Sequence, residues 1–320
     1  MPVMGSSPPR VVVVGALPPL GLALLKERFV VEAGGIRPEP SWLREHAPGA
    51  AAIVADPSVP VDGEVLDAAG SALKVVSNFG VGYDNIDVDA ARARGIRATN
   101  TPGVLTNATA ELAVALMLAA ARRITEADAV TRSGGWPRRG PEPFLGRELT
   151  GATVGLVGFG RIARRVAELL RSFEVCLLFT SRSAAQAPSD GGRRELPDLL
   201  AASDFVSLHL PLTAETRHLI DADALAAMKP GAILVNTSRG AVVDSSALID
   251  ALQSGRLGAA ALDVYEDEPH VPQALRESPR TVLLPHIGSA TAATREAMAR
   301  LCVDNVIAVI EGREPPSPVA

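Results

Sequence analysis

Short apolar runs rich in Val, Ile, Leu and Ala recur along the chain, and the stretches between them carry apolar residues at helical spacing. Runs of that length bounded by turn residues read as buried strands, and their alternation with helical spacers is the signature of βαβ units and parallel sheets. A first set comprises VVVVGA from Val11, AAIVAD from Ala51, KVVSNFG from Lys74 and IRATN from Ile96. A second comprises TVGLVG from Thr153, EVCLLFT from Glu174, FVSLHL from Phe205, AILVNT from Ala232, AAALDV from Ala259 and TVLLPH from Thr281. Between the sets, Ala108 to Arg122 reads as a helix apolar on most faces, hence buried, and it follows a boundary marked by Pro102 and Gly103. The segment from Thr131 to Gly151 is broken by Gly134, Gly135, Pro137, Gly140, Pro141 and Pro143 and predicts a loop or arm. A last helix is predicted from Thr294 to Arg313, followed by a tail with Pro315, Pro316 and Pro318.

Composition narrows the class without changing this picture. A chain of 320 residues suggests two domains, and 47% hydrophobic with 21% charged residues is the profile of a globular protein. A net charge of -5 gives no global field for nucleic acid or an anionic membrane, so neither is expected as a partner and any anion must meet local arginines. Cys176 and Cys302 lie in apolar runs and are expected to be free and buried, which suits a reducing cytosol and a cytoplasmic protein. The apolar stretch from Arg10 to Leu25 is split by two prolines and is too short to span a bilayer, so it reads as strand, turn and helix rather than a signal peptide. No H-E-x-x-H or C-x-x-C spacing points to a metal.

In open α/β sheets ligands bind beyond the carboxyl ends of the strands, and in the second set the notable polar clusters follow strand ends. In GLVGFGRIA, Gly158 permits a tight turn, Gly160 lets backbone amides approach a pyrophosphate, and Ala163 is small enough for helix-to-strand packing. The motif sits between a predicted strand and a predicted helix, the context it requires. Where an acid would hold both ribose hydroxyls of NAD, the chain reads Ser181 and Arg182. A hydroxyl and a guanidinium suit a 2′-phosphate, so NADP(H) is expected to be preferred, with NAD(H) still possible. Asp263 closes an apolar strand and needs a hydrogen-bond partner, either an amide at the nicotinamide end or the adjacent loop. Arg239, among Thr237, Ser238 and Gly240, is a permanent cation suited to a carboxylate. His286 and Glu268 end neighbouring strands, and a carboxylate beside the imidazole would favour its protonated, proton-donating form. His46, His209, His218 and His270 read as surface or loop residues.

Together these residues resemble the D-isomer-specific 2-hydroxyacid dehydrogenase family over nearly the whole chain. The similar segments are SNFGVGYDNID from Ser77, TPGVLTNATAELAVALML from Thr101, LTGATVGLVGFGRIARRVA from Leu149, LHLPLTAETRHLI from Leu208, MKPGAILVNTSRGAVVD from Met228, ALDVYEDEP from Ala261 and LLPHIGSAT from Leu283. The resemblance implies two doubly wound parallel-sheet α/β domains: a flavodoxin-like substrate domain over 1–103, to which 290–320 returns, and a Rossmann cofactor domain over 104–289. It implies a catalytic trio of Arg239, Glu268 and His286, with substrate contacts at Val81, Gly82, Arg239 and Ser289. Cofactor contacts are implied at Thr109, Gly158, Gly160, Arg161, Ile162, Ser181, Arg182, Pro211, Thr216, Thr237, Asp263 and Gly288. A homodimer is usual in the family, which gives the Thr131 to Gly151 segment a role and places Trp136 toward a partner's active site. Three departures from the common pattern stand out: Ala163 for the third Gly, Glu174 for a Gly between helix and strand, and Ser181 with Arg182, which resemble the NADP-preferring glyoxylate and hydroxypyruvate reductases.

The function this implies is NADPH-dependent reduction of a small 2-oxoacid to the D-2-hydroxyacid, with His286 as proton donor. A nucleotide-sensing, non-catalytic binding protein of the same fold is the rival from another class, disfavoured by the absence of a long tail before Ala320. Within the enzymes, 2-ketogluconate and phosphite are alternative substrates. Glu268 argues against formate oxidation, and the chain length argues against a phosphoglycerate dehydrogenase with a regulatory domain.

Overall fold

The protein is described by a computed structural model that covers residues 8–36, 39–136, 140, 143–181 and 192–319. The chain divides into two compact units, Met1–Leu105 with Ser289–Ala320, and Thr106–Gly288.

In the first unit, β1 (Arg10–Val13), β2 (Val30–Ala33), β3 (Ala52–Ala55), β4 (Val75–Asn78) and β5 (Arg97–Thr99) form a sheet in the order β2-β1-β3-β4-β5, parallel throughout. Four of these were expected from their apolar runs. β2 was not, because this edge strand leaves Val30 exposed and neither face of VVEA is fully buried, so no run or alternation marks it. At the other edge the Pro-rich tail is ordered against β5: Val319 N–H donates to Ala98 O at 2.8 Å, and Pro318 bridges to Thr99. That contact covers an edge that would otherwise present unpaired backbone groups. The long helix Ala292–Ile310 packs on β3, β4 and the helix Pro19–Lys26, where Gly21 allows close approach to Ala299. Cys302 lies wholly inside this layer, and burial pushes its thiol up to about 12.

The second unit holds β6 (Thr153–Val157), β7 (Cys176–Phe179), β8 (Phe205–Leu208), β9 (Ala232–Asn236), β10 (Leu257–Leu262) and β11 (Thr281–Leu283), ordered β11-β10-β9-β8-β6-β7 and again parallel. Alternate strand residues feed two separate cores. Leu156, Phe205, Ile233, Val235 and Ala261 face one, while Val157, Val206, Leu208, Leu234 and Leu262 face the other. A parallel sheet buried on both faces reads as continuous apolar sequence for this reason. The helix Thr106–Ala121 packs against the helix Arg161–Leu170 and β9 to β11, which explains its near-uniform apolar character.

Two expectations are corrected. Cys176 is exposed, because β7 is the edge of its sheet. The irregular segment begins later than expected, since Thr131 and Arg132 close a helix, Ile124–Arg132. His209 is a loop residue, as expected, just after β8, but its ring is shielded: its Nε2 lies 2.9 Å from Ser207 Oγ, and burial pushes the imidazole down to about 4. No described helix is long and apolar enough to cross a membrane.

Candidate active site

The switch in strand order between β6 and β8 creates the crevice where ligands of such sheets bind, and the glycine-rich turn lies there. Gly158 stands at φ +87, and a Cβ on it would come within 2.7 Å of His209 O. Its N–H donates to Thr180 Oγ1 at 2.9 Å, so the end of β7 fixes the turn. Gly160 differs in kind: its backbone is extended and a Cβ would meet nothing within 4 Å among the described residues, so they leave the space in front of it open. It begins the helix Arg161–Leu170 without a side-chain cap, which leaves the amides of the first turn, at Arg161, Ile162 and Ala163, free of capping side chains. Ala163 itself is fully buried, as packing requires. Glu174 takes up the left-handed conformation, φ 54, at the position where a glycine was expected.

Ser181 follows β7 at the same edge, while Arg182 lies outside the described residues. Beyond β8, Thr216 Oγ1 donates to Pro211 O at 2.7 Å and accepts from Thr213 N–H at 2.8 Å, closing that loop on itself. Beyond β9, buried Asn236 organises the turn: its Oδ1 accepts from Ser238 N–H, and its Nδ2 donates to Arg239 O, both at 2.9 Å. Asn236 was not singled out from the sequence, although Asn closing a strand before Thr-Ser-Arg-Gly is an Asx-turn signal. Thr237 Oγ1 is buried with no hydrogen-bond partner among the described residues. Gly240 is required by contact, since a Cβ there would lie 1.8 Å from the Tyr265 carbonyl carbon. The Arg239 turn is thus pressed against the loop after β10.

That loop and the one after β11 are cross-linked around His286. β10 and β11 are adjacent, so Glu268 and His286 meet as expected, with Glu268 Oε2 2.8 Å from His286 Nδ1. Glu268 Oε1 accepts from Tyr265 N–H at 2.9 Å. Burial works to raise the Glu268 carboxyl, but the His286 hydrogen bond and charge, the Tyr265 amide and the Arg239 charge outweigh it and hold the group below the ordinary range. Tyr265 Oη donates to Leu284 O at 2.9 Å, and burial with the nearby Asp263 charge pushes the phenol up to about 12. Buried Asp263 accepts from Ile287 N–H and Gly288 N–H in the loop after β11, both at 2.7 Å. Burial raises its carboxyl despite those amides. Thr109 Oγ1 donates to Gly288 O at 3.1 Å. Contacts at 284, 287 and 288 therefore bracket His286, whose backbone sits at φ 54.

In the first unit the loop after β4 is built from backbone. Thr101 N–H donates to Gly80 O at 3.0 Å, Asn100 Nδ2 to Val81 O at 2.7 Å, and Asn78 Nδ2 to Gly82 O at 2.6 Å. Asn85 Nδ2 steadies Asn78 Oδ1 at 3.2 Å, and Ser317 Oγ donates to Asn100 O at 2.7 Å. Three successive carbonyls are engaged, while the amides of Val81 and Gly82 have no protein acceptor among the described residues. Successive free amides of this kind suit an anion. Ser289 begins the returning part of this unit, and its carbonyl accepts from Thr291 N–H at 2.9 Å.

Residues 114–288 match the family described as D-isomer specific 2-hydroxyacid dehydrogenase, NAD binding domain. The chain is 47% identical over 321 residues to a glyoxylate reductase of Thermococcus kodakarensis, covering 97% of this chain and 95% of that protein. It is 46% identical over 318 residues to a glyoxylate reductase of Pyrococcus furiosus, covering 97% and 94%. Among solved structures, a protein from Thermus thermophilus aligns with a TM-score of 0.91 at 46% identity, covering 97% of this chain and all of that one. An NADPH-dependent glyoxylate/hydroxypyruvate reductase from Sinorhizobium meliloti, in complex with NADP and malonate, aligns with a TM-score of 0.88 at 39% identity, covering 98% and 97%. Sequence likeness over both units and the same two-sheet architecture lead to one conclusion: the chain belongs to the D-isomer-specific 2-hydroxyacid dehydrogenase family of oxidoreductases, among its glyoxylate/hydroxypyruvate-reductase-like members.

Proposed function

We propose that this enzyme reduces a small 2-oxoacid, glyoxylate or hydroxypyruvate, to the D-2-hydroxyacid in the cytoplasm, with NADPH preferred over NADH. The observation that carries this reading is the Glu268–His286 pair at 2.8 Å, with the Arg239 charge close enough to act on Glu268. The unit Thr106–Gly288 holds the dinucleotide and the other unit receives substrate. The residues present fit a dinucleotide: open space before Gly160, a helix start without a side-chain cap, and an unpartnered Thr237 hydroxyl are features such a ligand would complete. Gly158, Gly160, Arg161 and Ile162 would hold the pyrophosphate; Ser181 and Arg182 the 2′-phosphate; Thr109, Pro211, Thr216, Thr237, Asp263 and Gly288 the remainder. The bound nicotinamide supplies the hydride.

The chain's own residues do the rest. Arg239 pairs with the substrate carboxylate and stabilises negative charge growing on the carbonyl oxygen, while the Val81 and Gly82 amides and Ser289 orient the acid. Glu268 accepts from Nδ1 of protonated His286, which leaves Nε2 to deliver the proton to the forming alkoxide. The homodimer is assigned to the segment around Trp136 and Leu145, which are 73% and 67% exposed.

NADPH and NADH consumption measured in parallel with glyoxylate, hydroxypyruvate, 2-ketogluconate and phenylpyruvate tests substrate and cofactor together. Fastest turnover of glyoxylate or hydroxypyruvate with NADPH is expected, and inertness toward all four would overturn the reading in favour of a binding protein. Ser181→Asp with Arg182→Ala should shift preference toward NADH; an unchanged ratio would remove those residues from cofactor choice.

A further inference from the structure

The Tyr265–Glu268 segment is held from two sides. One side meets the His286 loop; on the other, His218 Nε2 lies 2.6 Å from Glu266 Oε1, and Ser245 N–H donates to Glu266 Oε2 at 3.4 Å. His218 is itself fastened elsewhere. Its N–H donates to Ala241 O at 2.8 Å, two residues beyond Arg239, and the pairing continues through Ile220 N–H to Val242 O at 3.1 Å and Asp244 N–H to Ile220 O at 3.0 Å. Its main chain therefore belongs to the Arg239 segment while its side chain belongs to the Glu268 segment. The backbone adopts φ 51 to do this, a conformation that a non-glycine residue keeps only where its surroundings enforce it. Where the two segments touch directly, at Gly240 against Tyr265 and Glu266, the contact has no clearance for a Cβ.

A half-exposed imidazole and carboxylate contribute little to stability, so a surface ion pair alone would not justify this geometry. Reaction rate, by contrast, falls steeply when a catalytic group is displaced. We propose that His218 and Glu266 are a positioning pair that sets Arg239 relative to Glu268, an inference that rests on the catalytic reading of those two residues. Burial works to raise the Glu266 carboxyl, and its hydrogen bonds to His218 and Ser245 outweigh this and lower it, in keeping with an ionised partner for His218.

The test compares His218→Ala, Glu266→Ala, their double variant, His218→Gln and Glu266→Gln in the full-length enzyme. It reads NADPH-linked glyoxylate reduction, and the imidazole NMR resonances of His286 in the cofactor-free protein. Each alanine variant should lower kcat on the order of tenfold and leave the KM for NADPH within about twofold. The double variant should be no worse than the worse single, because the pair acts as a unit. His218→Gln, whose amide can donate to Glu266, should recover most of the rate, and the His286 resonances should move in both alanine variants. If His218→Ala does not fold, Glu266→Gln keeps the side-chain shape and should show the same changes at smaller size. Unchanged kcat in the singles, or a double loss equal to the product of the two, would overturn the proposal. If the wild type reduces no oxoacid, the functional reading fails, and the His286 resonances then decide the positioning role: moved, it stands; unmoved, it falls.

Discussion

Both units place loops beyond the carboxyl ends of parallel strands, yet they present opposite chemistry there. The second unit offers ionisable side chains, Arg239, Glu268 and His286, each held by neighbours. The first offers main-chain amides at Val81 and Gly82, aimed by the Asn78 and Asn100 side chains and the Thr101 amide, which occupy the carbonyls. Side chains can be titrated and deleted one at a time, whereas a backbone amide is lost only to proline, which also fixes the backbone, and its permanent dipole does not change with pH. A side-chain site is thus broken directly, and a backbone site is probed most cleanly through the residues that aim it.

The largest effect separating the two should come from His286→Ala, which is expected to lower kcat for glyoxylate reduction on the order of a hundredfold or more; full retention of kcat would strike His286 from its role. In the first unit, Asn100→Ala or Asn78→Ala frees one carbonyl and lets the turn relax. The expected result is a rise of about tenfold in KM for the oxoacid with a smaller change in kcat, and an unchanged KM would show that the amides do not receive substrate.

The two sites should also differ in pH response. Glu268 is held below the ordinary carboxylate range, so its pairing with His286 is intact above that range and is lost as pH falls through the lowered value. An acid limb in kcat/KM is expected only below the usual Glu range. Glu268→Gln should lower activity and remove that limb, and a limb that persists in the variant would place its origin elsewhere. The smallest effect concerns His209. Its imidazole is lowered from 6.5 to about 4, so the unfolded chain binds the proton first and stability declines as pH falls from 6.5 toward 4. His209→Asn should flatten Tm over that interval, while an equally steep slope in the variant would mean that His209 is not the group responsible.

Much of the fold was legible because burial on both faces leaves continuous apolar sequence: all six strands of the second sheet appear as such runs. β2 was not legible, since an edge strand needs no apolar run. Cys176 misled for the related reason that an apolar stretch at a sheet edge looks the same in sequence as one inside. Glu268 and His286 could be paired by reasoning, because each ends a strand and the strands are neighbours. His218 and Glu266 could not, because they come together through a loop pairing between residues 218 to 220 and 241 to 244 that leaves no periodic trace. The shielding of the His209 ring was hidden likewise: the residue follows a strand end, and the glycine-rich turn that lies against its carbonyl is far off in sequence.

The Thr109 to Gly288 hydrogen bond joins residues near the first and last positions of the unit Thr106–Gly288. A module whose entry and exit are tied to each other is portable: it can be spliced into a host chain at one point, because the host sees only a short gap to bridge. A polypeptide running from Thr106 to Gly288 is therefore expected to fold by itself, and joining residues 105 and 289 by a short linker should leave the first unit its own continuous core. Thr109→Val would loosen the knot between the ends, and its cost should be visible in the excised polypeptide before it is visible in the whole protein.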